Sequence, residues 1–230
     1  MRIKNLTILL AVAVASLPAF AQKAPPTAAQ RFGGDIDKAE SPSFRRHVVS
    51  LASKLGCSGR ECHGSFQGRG DFQLSLFGYD FGLDHKAITA DKENRIRIDL
   101  EHPEKSLFLQ KAMKQVKHKG GEIYEEGSWE HNLMLKWIRE GAKLDVKETG
   151  VFDRLEVFPK EFVGRKIGDT MQLKVLAYWK DGTVEDVTDF TRFNTNDESV
   201  AVVNEYGEVE IKGKGDSHVV AFYDNGVLPM

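Results

Sequence analysis

Cys57 and Cys62 are the only two cysteines of this 230-residue chain, and His63 follows the second directly, in the string Gly56-Cys57-Ser58-Gly59-Arg60-Glu61-Cys62-His63-Gly64. These residue types can hold a haem covalently: the thiols add to the porphyrin vinyl groups as thioethers, and the adjacent imidazole binds the iron from one face. The spacing is two residues longer than the usual C-x-x-C-H. Two other chemistries use the same side chains. A cysteine pair in an exported chain can close a disulfide. A Cys/Cys/His trio is also part of a zinc site, but it needs a fourth ligand, and no second Cys/His pair at metal spacing is present.

Thioether attachment is completed outside the cytoplasm, and the amino terminus agrees with export. Arg2 and Lys4 precede an apolar run from Leu6 to Leu17 and an Ala19-Phe20-Ala21 ending, which reads as a secretory signal peptide over residues 1–21, cleaved after Ala21. The run is too short to span a bilayer comfortably. Nothing later resembles a membrane-spanning helix, so the mature chain is expected in the periplasm or otherwise exported, with no membrane span. The formal net charge is −2, and Lys and Arg are interspersed with Asp and Glu. No basic stripe marks a nucleic-acid partner.

The elements that must position the motif follow from periodicity. Residues 22–40 are rich in Ala, Pro and charge without apolar spacing, and read as a flexible leader. Near residue 148 the apolar spacing changes from helical to alternating, which predicts two domains, 41–147 and 151–230. Ser41-Pro42 is a helix start, Phe44, Val48, Leu51, Ala52 and Leu55 share one face, and Gly56 is placed to end the helix. The motif would therefore begin at a helix carboxyl end. Pro103 opens a second helix with Leu107, Phe108 and Ala112, and Ser128 a third with Trp129, Leu133, Trp137 and Ile138, stopped by Gly141. Between motif and second helix, Phe66, Phe72, Leu74, Leu76, Phe77 and Tyr79 could cover a planar cofactor or form an ordinary core.

Phe44-Arg45-Arg46, the C-x4-C-H-G string, Leu74-Ser75-Leu76-Phe77-Gly78-Tyr79-Asp80, Ser106-Leu107-Phe108-Leu109 and Trp137-Ile138-Arg139-Glu140-Gly141-Ala142 together resemble, in that order, the planctomycete-type cytochrome c domain. The resemblance covers roughly residues 41 to 146. It implies a mainly α domain with one covalently attached haem c per chain, at the front of large exported proteins whose later domains have no assigned activity. In related domains a Met-Pro-Pro-Gly-Gly-like loop supplies the second iron ligand; here that loop reads Val116-Lys117-His118-Lys119-Gly120-Gly121, with no Met inside it. His118 is thus the expected distal ligand, opposite His63. Met113, one helical turn or more earlier, is the alternative, and an open iron face is another. His47, His85, His102, His131 and His218 each have a surface or capping reading.

In the second half Leu155 to Pro159, the alternating Met171, Leu173, Val175 and Ala177, and the Lys180-Asp181-Gly182-Thr183 turn lead into further short strands around Val184, Val200 to Val203, Val209 and Val219 to Tyr223. Several short strands at this spacing predict an all-β sandwich. Tyr178 to Thr183, Asp186-Val187-Thr188 and Thr195 to Ala201 resemble the bacterial immunoglobulin-like group 2 domain, over about residues 152 to 226. Such a domain acts as a spacer or adhesive module. Asp181, Asp186, Asp189 and Asp197 could gather around calcium or serve turns. The chain ends where a last strand is expected to begin, as a fragment of a longer protein would.

The expectation is an exported monohaem c-type cytochrome, an electron-transfer module more than a catalyst, with a redox partner protein or a downstream domain as its counterpart. The alternatives are a cell-surface or carbohydrate-binding module with a Cys57–Cys62 disulfide, and a haem enzyme or gas sensor with an open iron face.

Overall fold

A computed structural model describes residues 24–90, 97–145, 147 and 150–230. The signal-peptide segment lies outside the described residues. Five α-helices precede nine strands among the described residues. The helices are α1 (Ala28–Phe32), α2 (Ser50–Lys54), α3 (Phe81–Thr89), α4 (Leu107–Ala112) and α5 (Trp129–Arg139).

Within the stretch read as a leader, Thr27 and Gln30 form a capping box for α1. Ala28 and Phe32 are buried, and Asn132 of α5 donates to the Phe32 carbonyl at 3.1 Å. The next helix starts at Phe44 rather than at Pro42. Ser43 is its cap, with Asp145 accepting from the Phe44 amide at 3.0 Å. Its first six residues, Phe44–Val49, are π-helical and run directly into α2. The predicted face holds: Phe44, Val48, Leu51 and Ala52 are buried, and Phe44 lies 5.3 Å from Trp137 of α5, ring centre to ring centre. Pro103 opens only a 3-10 turn, Pro103–Lys105, and Ser106 then leads into α4. Ser128 caps α5 as expected, its hydroxyl accepting from the His131 amide. No spacing announced α3, whose cap is Asp80.

The strands are β1 (Phe152–Phe158), β2 (Thr170–Gln172), β3 (Lys174–Trp179), β4 (Val184–Asp186), β5 (Arg192–Thr195), β6 (Ala201–Val203), β7 (Glu208–Ile211), β8 (Val219–Tyr223) and β9 (Gly226–Pro229). They form three antiparallel three-stranded sheets, β1-β3-β4, β2-β7-β6 and β5-β8-β9. In β3 alternate residues Val175, Ala177 and Trp179 point inward, and in β8 Val219, Ala221 and Tyr223 do so.

This architecture corrects the expected fold class. The chain is mainly β, and its first half is not a mainly α cytochrome c-like domain. The longest helix there has eleven residues, and much of the rest is turn. The backbone gives the reason: between α2 and α3 it takes positive φ at Gly56, Gly68, Gly70, Asp71, Phe77 and Gly78, a conformation that no helix tolerates. The second half is likewise three small sheets and not the two faces of a sandwich. Its strands run three to seven residues, and β2 leaves the line of β3 to pair with β7.

The halves are tied by ions. Glu185 of β4 accepts from Arg46 at 2.8 Å and from Arg31 at 3.1 Å, with His47 Nε2 at 2.9 Å. Arg45 pairs with Asp224 at 2.8 Å, Tyr223 donates to the Arg46 carbonyl at 2.9 Å, and Lys54 donates to the carbonyls of Thr191 and Glu205. No helix among the described residues is long and apolar enough to cross a membrane.

Candidate functional site

The motif begins at the end of α2, where Gly56 has φ +79°. The Cys57 amide donates to the Ala52 carbonyl at 2.9 Å and the Gly56 amide to Ser53 at 3.1 Å, the Schellman pattern that closes a helix. The chain then coils on itself. His63 N donates to Cys57 O at 2.9 Å, Cys62 N to Gly59 O at 3.1 Å and Gly64 N to Gly59 O at 3.0 Å. A β-carbon on Gly64 would lie 1.9 Å from the Ser58 oxygen, so only hydrogen fits there. The four residues between the cysteines are thereby folded into a tight turn. Both thiols are free. Burial, with Cys62 adding to it, pushes the Cys57 thiol up to about 12, so it stays protonated at neutral pH and lacks thiolate reactivity.

His63 is held by its Nδ1, 3.1 Å from the carbonyl oxygens of both Arg69 and Phe72. The Phe72 ring centre is 4.6 Å away. His118 is held in the same manner, Nδ1 lying 2.9 Å from the Gly121 carbonyl. Since a carbonyl only accepts, both Nδ1 atoms carry a hydrogen, which leaves Nε2 as the nitrogen free to take a metal. Burial lowers the pKa of His63, and the nearby His118 lowers it further, against the pull of the two carbonyls. His63 is therefore a neutral imidazole.

The two rings lie close and parallel. Their planes differ by 6° and their centres are 6.5 Å apart. That separation is at the far end of direct ring contact. With roughly 2 Å for each imidazole–metal bond and about 1.1 Å from nitrogen to ring centre, two imidazoles sharing one metal would have centres about 6 Å apart. Two residues that lie far apart in the chain thus have the spacing of an axial pair.

Other features of the site agree. A β-carbon on Gly120 would stand 2.8 Å from His118 Cε1, so the glycine leaves the ring its place. Among the described residues the hydroxyls of Ser58, inside the motif, and of Tyr124 are buried without a hydrogen-bond partner. Orphaned donors of this kind are what a chain built around a further group leaves behind. Among the described residues no three or more His, Cys, Asp or Glu side chains gather as a bare-ion site. A parallel pair of imidazoles, each held at Nδ1, with two thiols in the adjoining turn fits a haem.

Met113 lies in the core, its sulfur 3.9 Å from Gln115 Nε2. Of the aromatic-rich stretch, Phe72 reaches His63 and Leu74 is buried, whereas Phe66 is 92% exposed. His47 is buried against Glu185 and not on the surface. His85 contacts the Ala142 carbonyl, His102 faces Asp99, His131 accepts from the Gly127 amide and His218 faces the Met230 carbonyl. The four aspartates do not converge: Asp181 meets Arg46 and Thr183, Asp186 meets Thr188 and Lys174, Asp189 accepts from Ala29, and Asp197 from Ser199. Sequence reasoning missed Tyr124, for which no motif exists, and the cradling role of Gly120.

No protein-family model matches this chain, and no curated protein matches it.

Proposed function

We propose that this chain is an exported c-type haem protein that transfers single electrons, with Cys57 and Cys62 as thioether anchors and His63 and His118 as axial ligands. The observation that supports this reading is the parallel imidazole pair, its ring centres 6.5 Å apart and each ring tied at Nδ1 to a backbone carbonyl. Each thiol adds across a vinyl group, sulfur to one carbon and hydrogen to its neighbour, so attachment needs no oxidant. When bound, haem supplies a one-electron couple at its iron.

The protein's own part is to hold and shield. The Arg69 and Phe72 carbonyls orient His63 and raise its basicity as a ligand, and Gly121 does the same for His118. A haem held by both His63 and His118 would have no ligand position left for oxygen or peroxide, and the chain would then carry electrons without activating a substrate. Two imidazoles also favour a lower potential than a His/Met pair. The signal-peptide pattern of residues 1–21 supports export, and the ion pairs of Glu185 and Asp224 hold the strand-rich half against the half that carries the motif.

The test is the absorption spectrum of chain matured with haem. A low-spin spectrum that survives acid-acetone extraction is expected, and His118→Ala is expected to turn high-spin and to bind carbon monoxide when reduced. An unchanged low-spin spectrum in that variant sinks the assignment of His118. A colourless protein with a Cys57–Cys62 disulfide sinks the haem reading itself.

A further inference from the structure

Arg97 is buried, yet among the described residues every hydrogen bond it makes ends on a backbone carbonyl and none on a carboxylate. Its Nη1 donates to Ala90 at 3.2 Å and to Ala87 at 3.5 Å, carbonyls at the carboxyl end of α3, where helical partners run out. Its Nη2 reaches the other way, to the Asp71 carbonyl at 2.9 Å. One rigid guanidinium thus ties the end of α3 to the turn at residues 69–72.

That turn is the one that holds His63. Arg69 N donates to Phe72 O at 3.1 Å, and the carbonyls of the same two residues flank His63 Nδ1 at 3.1 Å each. The turn takes its shape through Gly70 and Asp71, and Asp71, at φ +58°, keeps a conformation that a residue with a β-carbon holds only where its surroundings fix it. Arg97 supplies two such fixings. It meets the Asp71 carbonyl, and its guanidinium lies over the Phe72 ring, 5.0 Å from the ring centre, while that ring stands 4.6 Å from His63. A lysine could also meet the carbonyls that end α3, but it has neither the planar fork nor the flat face.

Resting on the haem reading for the role of His63, we propose that Arg97 is a positioning residue for the proximal ligand: it anchors the Arg69–Phe72 turn to α3 and so fixes the ring of His63 parallel to that of His118.

Ring NMR of the haem-free protein tests this. In Arg97→Lys the Nδ1 hydrogen of His63 is expected to exchange with solvent faster by roughly tenfold or more, because the turn that accepts it is released. That of His118, held by Gly121 on another loop, is expected to keep its rate. Equal His63 rates in variant and wild type overturn the proposal, and so does a parallel rise at both histidines, which would make Arg97 a general stability residue. Should the variant fail to fold, wild-type exchange decides: the Arg69 amide is expected to be protected within roughly tenfold of the Ala90 amide, and a freely exchanging turn beside a protected helix end overturns the proposal. In haem-loaded protein the ferric electron paramagnetic resonance spectrum, which responds to the angle between the imidazole planes, is expected to shift in Arg97→Lys, and an unchanged spectrum overturns the proposal. If neither protein holds low-spin haem, the functional reading falls, while the exchange rates still decide whether Arg97 holds His63.

Discussion

An imidazole binds a metal well when its other nitrogen is held by an acceptor, and both His63 and His118 meet that condition through backbone carbonyls alone. The side chains therefore depend on the local backbone, which makes single glycines decisive. Gly64 is the sharpest case, because any β-carbon there strikes the Ser58 carbonyl, and backbone cannot swing aside as a side chain can. Gly64→Ala is expected to destabilise the protein by roughly 3 kcal/mol and to lower the yield of haem-attached chain, as read by denaturant melts and by haem content per chain. A variant with wild-type stability and loading would mean that the turn between the cysteines is looser than described. His63 was legible from its place beside Cys62. His118 was legible only through a resemblance, since nothing in a lysine-rich loop says which way a ring faces.

At the scale of elements, the end of α2 sets the motif's starting point. Gly56 is left-handed, and no atom lies within 4 Å of where its β-carbon would be. Gly56→Ala is thus a purely conformational change, expected to cost roughly 1–2 kcal/mol while leaving the haem spectrum unchanged. A spectral change would mean that the helix end also tunes the ligand. This element was legible, because a glycine after a periodic apolar face signals a helix end. The same helix starts two residues later than its sequence predicts: Ser43, not Ser41, caps it, with Asp145 from a distant loop accepting the first amides. Helix α3 escaped notice because its sequence has weak amphipathic spacing and only Asp84 and Ile88 are buried.

At the scale of the whole molecule, Glu185 joins the halves. Burial alone would push its carboxyl up, but the hydrogen bonds from His47 and Arg46 and the charge of Arg31 outweigh it and bring it to about 2. His47 is itself neutral: burial lowers it, and its Nδ1 accepts from the Ser43 amide at 2.9 Å. Because the folded carboxyl binds its proton more weakly than the unfolded one, the stabilisation is complete above the unfolded value of 4.5 and fades as pH falls toward about 2. The shift corresponds to about 3 kcal/mol. Glu185→Gln is expected to lose roughly that much at neutral pH and to show a flatter decline of melting temperature between those pH values. Parallel declines in the two proteins would assign the acid sensitivity to other carboxylates.

The residue sequence alone determined the chemistry on offer: two thiols and an imidazole within one turn, a helix end before them, alternating strands after residue 150, and an export pattern at the front. These are local properties, written in neighbouring side chains. Tertiary structure decided what depends on contacts between distant segments. Short helices separated by left-handed turns replaced the expected helical domain, because positive φ at residues 56 to 78 is a cumulative backbone property that apolar spacing does not report. Three small sheets replaced a sandwich, because strand partners are chosen across the chain. Only the folded chain brings His118 parallel to His63 and buries the Tyr124 hydroxyl without a partner, since both depend on loops held in place by carbonyls far away in sequence.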